Sequence, residues 1–140
     1  MFTLHPVLEK DTIKLGEFPL CHALLMNDAN YPWFVLVPKR HNIREIFQLK
    51  ETDQAQLVKE SSHLSQQLFE YFNADKLNIA ALGNIVPQLH IHHIVRYTSD
   101  PAWPAPVWGR LPPLPYAENK LNELLEKLKP CLANKIEWDI

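Results

Sequence analysis

Apolar residues in this chain change their spacing from strand-like to helical and back, and that order limits the fold more than any other feature. Two short runs, Leu20 to Met26 and Trp33 to Val37, flank a segment rich in turn formers, Asn27-Asp28-Ala29-Asn30-Tyr31-Pro32. Their length and their β-branched and aromatic content predict a strand, a loop and a second strand. Pro38 should close that strand, because it brings no N–H to a ladder. Over residues 44–73 the repeat turns helical, with Leu57, Leu64, Leu68, Tyr71 and Phe72 near one face. Asp53 followed by Gln56 reads as a capping box that starts this helix. Residues 76–82 and 88–97 return to strand, separated by Gly83-Asn84-Ile85-Val86-Pro87. A last helix is predicted over 116–129, with Leu121, Leu124, Leu125 and Leu128 on one face and Pro130 as its stop. The order β-β-α-β-β-α predicts an α+β fold, an antiparallel sheet with helices packed on one face.

Size and composition narrow the function. A chain of 140 residues is expected to form one domain, with a core over 18–97. Its three glycines, Gly16, Gly83 and Gly109, cannot build a dinucleotide-binding or P-loop turn. If the protein handles phosphate, it does so without a glycine cradle. Net charge is −2 and the 14 Lys and Arg are scattered, which argues against a nucleic-acid surface. Cys21 and Cys131 are too few for a disulfide scaffold and are expected to be free thiols. The N-terminal stretch shows no secretory signal and no run is long enough to span a membrane, so a cytoplasmic protein is expected. Six of the twelve prolines, with Trp103 and Trp108, lie in 100–115. That segment should be extended, non-helical and packed against the rest of the chain.

The chemistry concentrates in residues 88–93. Strand alternation puts Gln88, His90 and His92 on one face, and Leu89, Ile91, His93 and Val95 on the other. The apolar face should meet the helices, so the histidine pair is expected to look towards solvent or a cleft. His93 falls on the helix side and reads as a buried, hydrogen-bonded histidine. Three readings of His90 and His92 remain open on spacing alone: a histidine nucleophile attacking phosphorus, two imidazoles on one metal ion, or two surface residues with no shared task. A metal-dependent barrel hydrolase with such a strand would need about 250 residues, and no H-E-x-x-H motif is present.

Together these stretches resemble the histidine triad (HIT) superfamily of nucleotide hydrolases and transferases. The likeness runs over residues 20–96. It rests on Ala23-Leu24-Leu25-Met26-Asn27, on Trp33-Phe34-Val35-Leu36-Val37-Pro38-Lys39-Arg40-His41, on Ile43-Arg44-Glu45-Ile46, and on Gly83-Asn84-Ile85-Val86-Pro87-Gln88-Leu89-His90-Ile91-His92. The family signature is H-φ-H-φ-H-φ-φ; here Gln88 stands at its first position, His90 at the middle and His92 at the last. The resemblance implies a sheet of about five strands and a homodimer. It assigns the covalent nucleophile to His90 and a supporting hydrogen bond to His92. At Gln88 an amide can orient a neighbour but cannot become cationic. His41 is implied near the catalytic group, Asn27 at a ribose hydroxyl, and Asn84 and Asn78 at phosphate oxygens. The implied partner is a nucleotide or nucleotide conjugate, with no cofactor and no metal in the chemistry. The apolar stretch around Trp33 is expected to be exposed and, with the Trp103–Trp108 segment, to help build the dimer. A nucleotide-binding regulator without turnover and a metal-binding domain using His90 and His92 are the alternatives.

Overall fold

The computed structural model describes residues 1–132 and the backbone of 137–138. A short helix α1 (Pro6–Asp11) leads into strand β1 (Thr12–Glu17), followed by β2 (Cys21–Met26) and β3 (Trp33–Pro38). A single 3-10 turn, Ile46–Gln48, precedes the long helix α2 (Glu51–Tyr71). Strands β4 (Lys76–Ala80) and β5 (Ile91–Arg96), helix α3 (Glu118–Leu132) and a two-residue strand β6 (Glu137–Trp138) complete the order. The strands form one antiparallel sheet ordered β4-β5-β3-β2-β1-β6. The α+β class and the antiparallel sheet match the expectation from sequence. Five strands are full-length, and β6 adds two residues to the β1 edge.

Register decides which residues share a face. Val35 pairs with His92 and Trp33 with Ile94, while Phe34 pairs with His93 and Leu36 with Ile91. The Phe34 face meets α2 and α3 through Leu57, Leu64, Leu68, Leu128 and Leu132, the main core. The Trp33 face is not open. Leu24, Val35, Val37 and Ile94 on the sheet pack under Leu8 of α1 and under Ala102 and Val107 of the Pro/Trp-rich segment. Both faces of the sheet are therefore buried, which accounts for the nearly continuous apolar run of β3.

Three local expectations are corrected. Helix α2 starts at Glu51 with Lys50 as its N-cap, and the Asp53 carboxylate is instead gripped by Arg40 at 2.7 and 3.0 Å. The capping box sits one element earlier, between Glu45 and Gln48 of the 3-10 turn. Pro130 does not stop α3 but lies inside its last turn, where burial of Leu128 and Leu132 in the main core carries the helix past it. The Pro/Trp-rich segment is non-helical and packed as expected, but its first half is a series of turns and bends, and 112–117 are free of them.

Candidate active site

The strand expected from residue 88 begins only at Ile91, so alternation puts His92 on the Trp33 side of the sheet, and the His90 ring, just before the strand, lies against it. The expectation that this face opens to solvent or a cleft is modified. Both rings are largely buried, 7% and 5% exposed, because α1 and the 100–115 segment roof the face. The two rings lie 5.0 Å apart, centroid to centroid, at 74°. Among the described residues, the hydrogen bonds of both rings within the chain are made by Nδ1 and not by Nε2.

Each ring is held by its Nδ1 atom. His90 Nδ1 lies 2.6 Å from the backbone carbonyl oxygen of Gln88. A carbonyl only accepts, so that nitrogen carries the proton and the neutral ring keeps its lone pair on Nε2. His92 is held in the opposite sense. Trp33 Nε1–H donates to His92 Nδ1 at 2.9 Å. An indole N–H only donates, so His92 carries its proton on Nε2. Adjacent histidines thus present unlike groups: a nucleophilic nitrogen on His90 and an N–H donor on His92. Burial, with His90 and His93 beside it, pushes the His92 pKa down to about 3, which keeps its ring neutral. The Trp33 and Trp108 rings pack edge-on around His92 at 5.6 and 5.1 Å and hold its plane.

His93 lies on the helix side as expected. It is fully buried, its Nδ1 against the Ile91 carbonyl at 3.0 Å and its Nε2 against the Ser61 hydroxyl at 2.7 Å. Since the carbonyl fixes the proton on Nδ1, Ser61 donates to Nε2. Burial pushes the His93 pKa down to about 4, against the raising effect of the Ile91 carbonyl. It is a satisfied core residue behind the reactive strand.

The remaining residues singled out by sequence do not converge on the imidazole pair. The Gln88 side chain turns to the N-terminal segment, where Oε1 accepts from His5 N–H and Nε2 donates to the Thr3 carbonyl, both at 2.9 Å. His41 is exposed on the turn after β3 and lines a groove with Gln88 and residues 1–6. Asn27 Oδ1 accepts from Tyr116 N–H at 2.9 Å and so ties down the end of the Pro/Trp-rich segment. Asn78 Oδ1 accepts from Arg96 at 2.6 Å, inside a buried network in which Asp100 grips the same guanidinium at 2.7 and 3.1 Å. Asn84 is exposed beside Gly83, whose φ of 66° turns the chain between β4 and β5. Among the described residues, no group of three His, Cys, Asp or Glu side chains is placed to hold a metal ion.

Sequence reading missed Trp33 and Trp108 as site residues and took Trp33 for exposed dimer surface. That is corrected: Trp33 is 7% exposed and its ring is spent on His92, Tyr31 and Trp108 within the chain. The signal was available, since a buried tryptophan must find an acceptor for its N–H.

A family model for the HIT domain matches residues 7–99. The chain belongs to the HIT family. A histidine triad protein from Marinobacter aquaeolei, a solved structure, is 55% identical, with a TM-score of 0.94 over 96% of this chain and 98% of that one. A second histidine triad protein, from Bradyrhizobium japonicum, is 48% identical, with a TM-score of 0.90 over 97% and 98%. A hypothetical histidine triad nucleotide-binding protein from Sulfolobus tokodaii shares the fold at 18% identity and a TM-score of 0.67, over 90% of this chain and 87% of that one. No curated protein matches the chain. Within this HIT domain the imidazole pair lies near the C-terminal end of the matched region, and the Trp108 that packs on it comes from just beyond that region. Among the described residues no helix is long and apolar enough to cross a membrane.

Proposed function

We propose that this HIT protein is a nucleotide phosphohydrolase or nucleotidyl transferase that works through a covalent intermediate on His90. The observation that carries the reading is the opposed tautomers of His90 and His92, set by the Gln88 carbonyl and the Trp33 N–H. His90 Nε2 attacks the α-phosphorus of a nucleotide conjugate, a P–N bond forms, and the bond to the leaving group breaks with its electron pair. A water then attacks the same phosphorus, the P–N bond breaks, and nucleoside monophosphate and neutral His90 are regenerated. In a transferase another acceptor hydroxyl takes the place of water. Throughout, His92 Nε2–H donates a hydrogen bond to the charge developing on oxygen. One such donor in a dry site is worth about 2.7–4 kcal/mol, or about 10²–10³ in kcat. With Nδ1 already occupied, His92 stays neutral and has no spare proton, so weakly basic leaving groups are favoured.

Gln88 stands where the signature has its first histidine, and its amide is engaged by Thr3 and His5. Asn84, exposed on the loop before β5, is the group proposed to meet phosphate oxygens, and His41, exposed on the turn after β3, to approach the leaving group. The nucleotide is the proposed partner, and a second copy of this chain is another. β4 is an unpaired sheet edge with Ile79 half exposed, the kind of strand that a partner copy covers. Light scattering distinguishes a dimer from a monomer of 16.3 kDa.

The functional test is turnover of mononucleotides, dinucleoside polyphosphates, sugar nucleotides and aryl esters of nucleoside monophosphates. His90→Ala should abolish turnover of whichever substrate the wild type accepts. Retained turnover in that variant removes His90 as nucleophile. Tight nucleotide binding with no turnover by the wild-type chain would favour a binding regulator.

A further inference from the structure

Gln88 takes part in two structures at once. Its backbone carbonyl fixes the proton of His90, while its side chain grips the segment Thr3-Leu4-His5. In an extended chain, the carbonyl of one residue and the N–H two residues later point the same way. A carboxamide presents an acceptor and a donor side by side and pairs with both. An imidazole cannot, because its two nitrogens point apart on opposite sides of the ring. The residue that departs from the signature is therefore the one whose chemistry suits this clamp.

The clamped segment is seated on the site's own foundation. Phe2 and Leu4 pack against the cluster that contains Trp33, Val35 and Ile94, and the Phe2 ring lies 5.3 Å from that of His22. Between the segment and the turn after β3 runs a groove of about 360 Å3, with Phe2, Leu4 and His5 on one side and His41, Ile43 and Pro87 on the other. That size lies in the range of small-molecule sites, about 300–1,000 Å3. Among the described residues its lining holds no lysine, arginine or carboxylate.

We propose that residues 2–5 form a specificity wall joined to His90 through Gln88, latched by the Gln88 amide, and that the groove lined by this wall and Gln88 receives an apolar leaving group in preference to a polyphosphate. This rests on the nucleotide reading above and adds to it which side of the substrate the wall selects. Gln88 is then a positioning residue, acting through the segment and not on the phosphorus.

His5 offers a variant that leaves the Gln88 amide intact. Its φ of −59° and ψ of 136° suit proline, so His5→Pro removes the N–H that donates to Gln88 without disturbing the backbone at that residue. It also removes the ring that accepts from Val7 N–H, and His5→Ala is the control, losing that cap while keeping the backbone N–H. The experiment compares kcat and KM for an aryl ester of a nucleoside monophosphate and for a nucleoside triphosphate. Gln88→Ala and His5→Pro should each raise KM for the aryl ester by about tenfold, with the triphosphate and kcat little changed. Combined, they should cost no more than either alone, and His5→Ala should keep the wild-type preference. Hydrogen exchange at the His5 amide should be slow in the wild type and fast in Gln88→Ala.

If Gln88→Ala lowers kcat equally for both substrates while His5→Pro does not, Gln88 acts on the phosphate and the wall is refuted. A preference unmoved in both variants of an active enzyme refutes it equally. Turnover of neither substrate by the wild-type chain overturns the nucleotide reading instead, and the selectivity with it.

Discussion

Replacing Trp33 with phenylalanine isolates the hydrogen bond that sets the site's polarity. The Trp33 N–H reaches His92 Nδ1 at 2.9 Å, and both residues are buried. Phenylalanine keeps an aromatic ring in contact with Trp108 but has no donor. Nδ1 is then a buried acceptor without a partner, at a cost of about 1–3 kcal/mol. Part of that cost is avoided if the proton moves from Nε2 to Nδ1, and that move turns the proposed catalytic donor into an acceptor. The loss in kcat should be smaller than for His92→Ala, which removes the donor outright at about 10²–10³. About 1.4 kcal/mol of lost transition-state stabilisation gives about a tenfold fall in kcat, with KM little changed. Two assays read this together: steady-state turnover, and proton–nitrogen correlation of the His92 ring. The wild type should show a single Nε2–H tautomer, and Trp33→Phe a mixture. A Trp33→Phe protein that keeps the single Nε2–H tautomer and full kcat would refute the reasoning.

Acid stability follows from the two buried histidines. The folded-state pKa values are about 3 for His92 and about 4 for His93, below the ordinary value of 6.5, so the unfolded chain binds more protons in the interval. Their contribution is present above about pH 6.5 and is lost as pH falls towards 4, at up to about 1.4 kcal/mol per pH unit for each residue. Urea midpoints measured between pH 7 and pH 4.5 should fall accordingly, and His93→Gln should flatten the slope; an unchanged slope in that variant removes His93 from the explanation. Asp100→Asn should cost about 3–5 kcal/mol, because it leaves the Arg96 guanidinium, 1% exposed, without its counter-charge. Denaturant unfolding checks this, and a loss under 1 kcal/mol would mean that Asn78 and the Ala105 carbonyl suffice for Arg96.

How much of this could be read in advance depended on sequence distance. Strands β2 to β5 and helix α2 were legible because each carries its own period, although β5 begins at Ile91, so alternation places His92 and His93 on opposite faces but does not reach Gln88 and His90. β1 was not, since Thr12–Glu17 mixes Lys14 and Glu17 with Gly16, where the pairing with β2 shifts register. Such a strand is specified by its neighbour more than by its own pattern. The roof over the site was also hidden. Ala29 N–H bonds to Leu114, and Gln88 to Thr3 and His5, across most of the chain, and no local pattern announces such pairs. For that reason the resemblance puts Asn27 and Asn78 on substrate and Gln88 in an orienting role, and does not show that their side chains bond Tyr116, Arg96 and the N-terminal segment.

The most direct measurement is capture of the proposed intermediate. The protein would be mixed with a nucleotide substrate labelled at the α-phosphate, quenched in alkali within one turnover, and digested for tandem mass spectrometry. A nucleotidyl group on the His90 ring, labile to acid and absent from His90→Ala, is the predicted result. Turnover with no adduct on any histidine, or an adduct that persists in His90→Ala, would contradict it.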